Sequence, residues 1–165
     1  MSVAKLKLSE WAHIAEIAGA FAVVISLLYV GYQIQLSTAE RRIDSVQAIT
    51  ARDEQIALTY VSNEAVGIAF GKVLRGEELN PRENGVMANM LFAHLRVLED
   101  AYNKYRQGYL EDSFMDSRKN LVIQIIHASQ QVRTNYEGMK STDIFPSPFI
   151  DWFDEELRSA EAAAD

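Results

Sequence analysis

Residues 17–39 read IAGAFAVVISLLYVGYQIQLSTA, a run of 23 positions without a formal charge that is bounded by Glu16 and Glu40. At a rise of about 1.5 Å per residue, a helix of this length covers about 34 Å, which exceeds the roughly 30 Å hydrocarbon core of a bilayer. The first sixteen positions are mostly apolar. The sequence therefore predicts one membrane-spanning helix, and we assign residues 1–39 to an interfacial segment followed by this helix.

A cleaved signal peptide is the competing interpretation of this run. Lys5 and Lys7 precede it, and residues 37–39 (STA) have the small-x-small form of a cleavage site. The apolar run is longer than the core of about 7–15 residues that is usual for a signal peptide. Glu10 and Glu16 also interrupt the basic leader. We therefore expect the segment to be retained as an anchor.

Aromatic side chains flank the apolar run at both ends. Trp11 precedes it, and Tyr29 and Tyr32 lie towards its far end. Trp and Tyr are enriched where a membrane meets water, because their rings are apolar and their edges are polar. We predict that these three residues are interfacial anchors.

Small side chains recur along one face of the predicted span. Their spacing alternates between three and four residues, which places them in one seam of a helix. The seam consists of Ala12, Ala15, Gly19, Ala22 and Ser26. Small residues allow a second helix to approach closely, and in lipid such packing holds helices together. We predict that the seam packs against another copy of the chain or against the span of a larger complex; the alternative is a chance alignment of residue types that are common in spans.

Helix boundaries are visible in the remaining 126 residues. Residues 80–83 (NPRE) supply an N-cap, a Pro at the first helical position and a Glu at N3. Gly76 is placed to end one helix, Gly108 to end the next in the left-handed conformation, and Gly138 to end a single helix that starts after Gly108. Residues 147–148 (SP) repeat the cap-then-Pro arrangement for a last short helix.

The spacing of apolar residues supports the same division. Apolar side chains recur at intervals of three and four, and no run alternates with period two. We predict an all-α protein in which the membrane helix continues as a stalk over residues 40–61. A small bundle of about four helices follows over residues 62–158, and an acidic, Ala-rich tail over residues 159–165.

The net charge of −7 lies entirely beyond residue 36. The final fifteen residues carry six acidic side chains against Arg158 alone. An acidic surface repels phosphate backbones, so we expect no nucleic-acid partner. The acidic end is interpreted as a solvated helix end, with a docking strip for a basic partner as the alternative.

Clusters of polar and aromatic residues have ordinary structural explanations. Arg96 and Asp100 are i, i+4 neighbours and are predicted to pair on a helix surface. Four aromatic residues near the end of the chain are predicted to clamp the last helix onto the bundle, and a ligand cage is the less favoured reading. They are Phe145, Phe149, Trp152 and Phe153.

No arrangement in the sequence resembles a nucleophile with its base, a Gly-rich phosphate loop or a zinc site. Glu10, His13 and Glu16 form one Glu-x-x-His pair with a further carboxylate, whereas a helical di-iron site needs two such pairs and two more carboxylates. We therefore predict no catalytic residue, no metal ligand and no cofactor. His94 is interpreted as a histidine at the edge of the core.

Several segments of the chain form a recognisable pattern: residues 16–30 (EIAGAFAVVISLLYV) followed by residues 33–34 (QI), residues 95–102 (LRVLEDAY), residues 105–110 (YRQGYL) and the region 149–153. Through these segments the chain resembles a group of uncharacterised bacterial single-span membrane proteins. The likeness covers most of the chain. The resemblance implies a membrane-anchored helical domain without an assigned activity.

The chain departs from that group at the end of the span. Gln35 and Ser37 stand where Arg and Asn are usual. The remaining basic flanks are nearly balanced, since Lys5 and Lys7 precede the run and Arg41, Arg42 and Arg52 follow it. Because basic flanks stay in the cytoplasm, the adjacent arginine pair favours a cytoplasmic C-terminal part. We expect a single-pass protein of the bacterial inner membrane.

These observations favour a non-enzymatic accessory or scaffold protein in the bilayer, which self-associates or docks on a larger membrane complex through its span. The alternative is a membrane-tethered enzyme or a sensor of a ligand or metal, with its site between bundle helices near His94, Glu99 and His127. An oligomeric pore is disfavoured because only Ser26 and Gln33 offer a polar lining.

Overall fold

The computed structural model describes residues 8–164, and this range contains six α-helices and no strand. The predicted all-α fold, a long N-terminal helix followed by a helical bundle, is therefore confirmed. The helices are α1 (Leu8–Ser62), α2 (Glu64–Leu74), α3 (Pro81–Arg106), α4 (Asp112–His127), α5 (Gln130–Lys140) and α6 (Ser147–Ala164).

The chain divides into two compact units, one up to Arg41 and the other from Arg42 onward. The second unit includes the last part of α1, where Ile49 is fully buried and Ile56 is 9% exposed. These isoleucines are seven residues apart and therefore share one face of the helix. The segment that the sequence assigns to a stalk thus supplies core side chains from Arg42 onward.

The core of the second unit is built around α3, which packs against α2, α4 and α5. Met87, Leu91, Leu95 and Leu98 repeat every three or four residues along α3, and each is at most 1% exposed. Helix α4 packs in addition against α5 and α6. One apolar stripe on a central helix therefore organises the bundle.

The predicted helix boundaries on either side of α3 are confirmed. At the start of α3, the Glu83 amide donates to Asn80 Oδ1 (3.0 Å) and the Asn80 amide donates to Glu83 Oε2 (2.9 Å), which completes the capping box. Gly76 and Gly108 adopt φ values of 68° and 76°, in the left-handed region that glycine enters at little cost. Each follows the end of a helix, α2 and α3 respectively.

The predicted single helix up to Gly138 is wrong. The structure breaks it into α4 and α5 at Ser129, which is extended (φ −156°, ψ 136°) and caps α5 by accepting from the Gln131 amide at 3.2 Å. Gly138 lies inside α5, which ends at Lys140. Five helices therefore follow α1 within the described residues, rather than about four.

Helix α6 is longer than the short helix predicted from the sequence. It continues to Ala164, so residues 159–164, which were assigned to a tail, are helical. Ala is the strongest helix former, which accounts for the extension. Glu161 in this segment forms an ion pair with Arg133 of α5 (2.5 Å).

The predicted aromatic clamp on α6 is confirmed. The Tyr102 ring of α3 stacks on Trp152 with centroids 4.8 Å apart, and the Tyr136 ring of α5 meets Phe153 edge-on at 5.6 Å. Tyr102 also donates its hydroxyl to the Pro148 carbonyl (3.0 Å). Aromatic burial therefore fixes the last helix to α3 and α5.

Candidate functional site

The first unit presents the apolar part of α1, the one helix in the described range that is long and apolar enough to cross a membrane. Its most apolar window of 18 residues has a mean hydropathy of 2.1, and none of that window is buried by protein. Phe21, Leu27 and Leu28 are 65%, 67% and 70% exposed. This part of α1 therefore has the length and the apolarity that a membrane crossing requires, and nothing within the first unit covers its apolar surface.

The structure places every residue of the predicted seam on α1, and each of them is exposed. These residues are Ala12, Ala15, Gly19, Ala22 and Ser26. The Ser26 hydroxyl donates to the Ala22 carbonyl of its own helix at 2.8 Å. A Cβ added to Gly19 would meet no atom within 4 Å. The seam is therefore an open surface whose polar group is already satisfied.

The predicted interfacial anchors also lie exposed on α1. Trp11, Tyr29 and Tyr32 are 57%, 61% and 64% exposed. The helical rise places Trp11 about 27 Å from Tyr29 and about 32 Å from Tyr32, close to the thickness of a hydrocarbon core. The Gln33 amide donates to Tyr29 Oη at 2.9 Å, so this polar side chain is paired within the helix.

Before the apolar run, His13 Nδ1 lies 3.8 Å from Glu16 Oε2, one turn further along the helix. Both side chains are about 80% exposed. Lys5 and Lys7 lie outside the described residues. Among the residues that are described, no group of three or more His, Asp or Glu side chains could hold a metal ion.

The second unit contains a cavity of about 290 Å³ between α1, α2, α3 and α4. We call it the Tyr60 cavity, after the residue at its polar end. Its lining comprises Asp53, Ile56, Ala57, Tyr60, Phe70, His94, Arg118, Leu121 and Ile125. Ile56, His94 and Ile125 are buried, whereas Ala57 and Leu121 are exposed. The cavity therefore has a closed floor and a mouth on the α1–α4 side.

Two aromatic groups form the polar end of the Tyr60 cavity. Tyr60 Oη and His94 Nε2 are 3.1 Å apart, and their rings stack with centroids 6.0 Å apart. Desolvation by burial lowers the pKa of His94 from 6.5 to about 4 and raises the pKa of Tyr60 from 10.0 to about 12. Both side chains are therefore neutral at pH 7.

An ion pair between Arg118 of α4 and Asp53 of α1 also lines the cavity. The two side chains are only 16% and 22% exposed. Desolvation lowers the pKa of the Arg118 guanidinium, but an arginine remains charged at any physiological pH. The pair therefore brings one positive and one negative charge to the lining, which has no net charge.

Of the three residues predicted for a site between the bundle helices, His94 lines the Tyr60 cavity, whereas Glu99 and His127 do not. Glu99 pairs with Arg96 (2.7 Å), and His127 Nε2 lies 3.5 Å from Glu161. The predicted constellation is therefore not assembled.

Sequence reasoning did not single out Asp53, Tyr60 or Arg118. Asp53, Ile56, Ala57 and Tyr60 follow the i, i+3, i+4, i+7 spacing of one helix face, and all four line the cavity. That spacing was the one feature of the α1 sequence that could have identified these cavity residues. No comparable local pattern points to Arg118.

Compared with known proteins, the chain matches no family model, no curated protein and no solved structure. The resemblance to single-span membrane proteins therefore remains a likeness of the residues quoted for it.

Proposed function

We propose that the protein is a membrane-anchored accessory or scaffold protein, in which the apolar part of α1 spans the bilayer and tethers the helical bundle. The single observation that carries this proposal is the exposure of large apolar side chains along α1. Leaving such side chains in water costs about 1.5–3 kcal/mol each relative to burial. A bilayer removes that cost over the full length of the run.

Hydrogen bonding along this part of α1 is compatible with lipid. Backbone groups are satisfied within a helix, which is the condition for crossing a membrane. The hydroxyls of Ser26 and Thr38 donate to carbonyls one turn earlier, at 2.8 and 2.9 Å. Gln33 is paired with Tyr29. These polar side chains therefore make their hydrogen bonds without a second helix.

Membrane anchoring is tested by fractionating cells that express the full-length chain. We expect the protein to stay in the membrane pellet after an alkaline carbonate wash, to be released by detergent, and to have the intact mass of the uncleaved chain. Release of the protein by carbonate would show that α1 does not anchor it in the bilayer. A mass lacking about the first 39 residues would instead identify a signal peptide.

Self-association is the second part of the proposal, and two glycines provide a matched pair of variants. Gly19 lies in the seam, whereas Gly31 lies roughly 120° around the helix from it. A Cβ meets no atom within 4 Å at either position, so Leu fits both in the isolated chain. Only a helix packed on the seam distinguishes the two positions.

Native mass spectrometry and crosslinking in detergent read out this difference. We expect an oligomer, or a copurified partner, that is lost in Gly19→Leu and kept in Gly31→Leu. A monomer without partners would refute the seam prediction, and so would an equal response to both variants. Neither result would affect membrane anchoring.

A further inference from the structure

We propose that the Tyr60 cavity binds a small neutral alcohol or phenol, with its apolar body against the aliphatic walls and its hydroxyl at the Tyr60–His94 end. This binding site goes beyond the anchoring role and does not depend on it, because every lining residue belongs to the unit that begins at Arg42.

The walls of the cavity select an apolar body. Ile56, Phe70, Leu121 and Ile125 supply aliphatic and aromatic surface from α1, α2 and α4. Binding pockets for small molecules are lined in the same way, with mostly apolar walls and a few polar groups that fix orientation. An apolar hydrocarbon body therefore matches this lining.

Volume limits the size of the occupant. A dry cavity of about 150 Å³ holds one benzene molecule. The Tyr60 cavity, at about 290 Å³, has room for a bicyclic aromatic molecule or an acyl group of similar bulk. Larger ligands would have to extend between Ala57 and Leu121 at the mouth.

The polar end selects a hydroxyl group. When Tyr60 donates its proton to His94 Nε2, the phenolic oxygen keeps lone pairs that can accept from a ligand hydroxyl. In the other tautomer, His94 donates to Tyr60 and the tyrosine proton is free for a ligand oxygen. A hydroxyl both donates and accepts, so it matches either arrangement.

Charge selects a neutral ligand. Asp53 and Arg118 neutralise each other, and Tyr60 and His94, the other polar side chains of the lining, carry no charge at pH 7. A charged ligand would bring an unpaired ion into a mostly apolar cavity, which is costly. A carboxylate would also have to compete with Asp53 for the guanidinium.

Three related probes test the ligand class on the full-length protein in detergent-free nanodiscs. They are 1-naphthol, naphthalene and 1-naphthoate, which share one bicyclic ring system. The first carries a hydroxyl group, the second carries no substituent, and the third carries a charged carboxylate. Binding is followed through the methyl resonances of Ile56, Leu121 and Ile125, with the free probe concentration measured by equilibrium dialysis. We expect 1-naphthol to bind about tenfold more tightly than naphthalene, as one hydrogen bond allows, and 1-naphthoate to bind most weakly.

Variants locate the site and its polar end. Ala57→Phe blocks the mouth and is expected to abolish binding of all probes. Ala48→Phe, an exposed alanine on the opposite face of α1, is the matched control and is expected to leave binding unchanged. The double variant Tyr60→Phe/His94→Leu removes both polar partners, which is nearly neutral for folding when shape is kept, and should make 1-naphthol and naphthalene bind equally.

Several results would overturn the proposal. They are absence of methyl shifts in the wild-type protein, equal affinities for 1-naphthol and naphthalene, tighter binding of 1-naphthoate, and binding that survives Ala57→Phe. Circular dichroism establishes that each variant is folded. If Ala57→Phe does not fold, the wild-type methyl shifts and the probe ranking decide the matter without it.

Discussion

The two parts of α1 share one secondary structure but have different surroundings. Before Arg42, Ile25 and Leu27 are 64% and 67% exposed, whereas beyond it Ile49 is fully buried. Helix formation therefore does not explain the difference. The later part is apolar on one face and has a bundle to cover that face. The uncharged run in the earlier part exposes large apolar side chains that nothing in its own unit covers, and the following predictions test this contrast.

The largest expected effect comes from truncating one isoleucine in each part of α1. Ile49→Ala removes a fully buried side chain and should lower the free energy of unfolding of the bundle by about 2–5 kcal/mol. Ile25→Ala truncates an exposed side chain and should leave the free energy of unfolding of the bundle unchanged. Chemical denaturation followed by circular dichroism measures both, and equal effects would remove the contrast.

A charge introduced at matched leucines should give the next largest effect. Leu27 and Leu58 are 67% and 65% exposed, one in each part of α1. Leu27→Arg should make membrane insertion less favourable by about 3 kcal/mol, because it places a cation in hydrocarbon. Leu58→Arg should not affect insertion. An insertion assay with glycosylation reporters measures the difference, and tolerance of both arginines would argue against a span.

Lowering the pH should destabilise the bundle through His94. Its folded pKa of about 4 lies below the ordinary value of 6.5, so the unfolded chain binds the proton more tightly. The stability that comes from keeping His94 neutral is complete above about pH 6.5 and is lost as the pH falls towards 4. We expect a loss of about 2 kcal/mol between pH 7 and pH 5.

The variant His94→Gln isolates this contribution, because glutamine does not titrate. Its unfolding free energy should fall less steeply over the same pH range than that of the wild-type protein. Identical slopes would show that His94 does not carry the pH dependence.

The smallest effect is expected from the ion pair that links the later part of α1 to α3. Arg52 Nη1 donates to Asp100 Oδ2 at 2.8 Å, but the arginine side chain is 58% exposed. Exposed pairs contribute about 0.2–1 kcal/mol, because water screens them. A double-mutant cycle with Arg52→Met and Asp100→Asn measures the coupling. A coupling energy well above this range would mean that the pair, rather than Ile49, anchors this part of α1.

Much of the bundle was predictable from local signals. The capping box at Asn80 and the left-handed glycines at positions 76 and 108 are set by residues within a few positions of each other. The break at Ser129 was missed, because an apolar spacing that continues through Val132 and Tyr136 conceals it. A lone serine is a weaker signal than a glycine or a proline.

The partners of charged side chains were not predictable from local spacing. Arg96 and Asp100 were predicted to pair as i, i+4 neighbours, and this prediction was wrong. Arg96 pairs with Glu99 and lies over the Phe145 ring (5.0 Å), while Asp100 pairs with Arg52 and Lys104. The choice among several nearby partners depends on which helices meet, and local spacing does not contain that information.

The candidate site shows the same limit. His94 could be named from the sequence, but its partner Tyr60 lies 34 positions earlier on another helix. The cavity that they share exists only because α1, α2, α3 and α4 leave a space between them. Cavities are properties of packing, so only the helix-face spacing of α1 hinted at this one.

By itself, the sequence determined that the chain is helical, where several helices begin and end, and that one uncharged run of α1 has the length and apolarity to cross a bilayer. These properties depend on spacing, caps and transfer free energies along a single segment. The tertiary structure alone decided that the later part of α1 joins the core and that Tyr60, His94, Asp53 and Arg118 line one cavity. The physical reason is that burial and pairing are set by which side chains meet across helices.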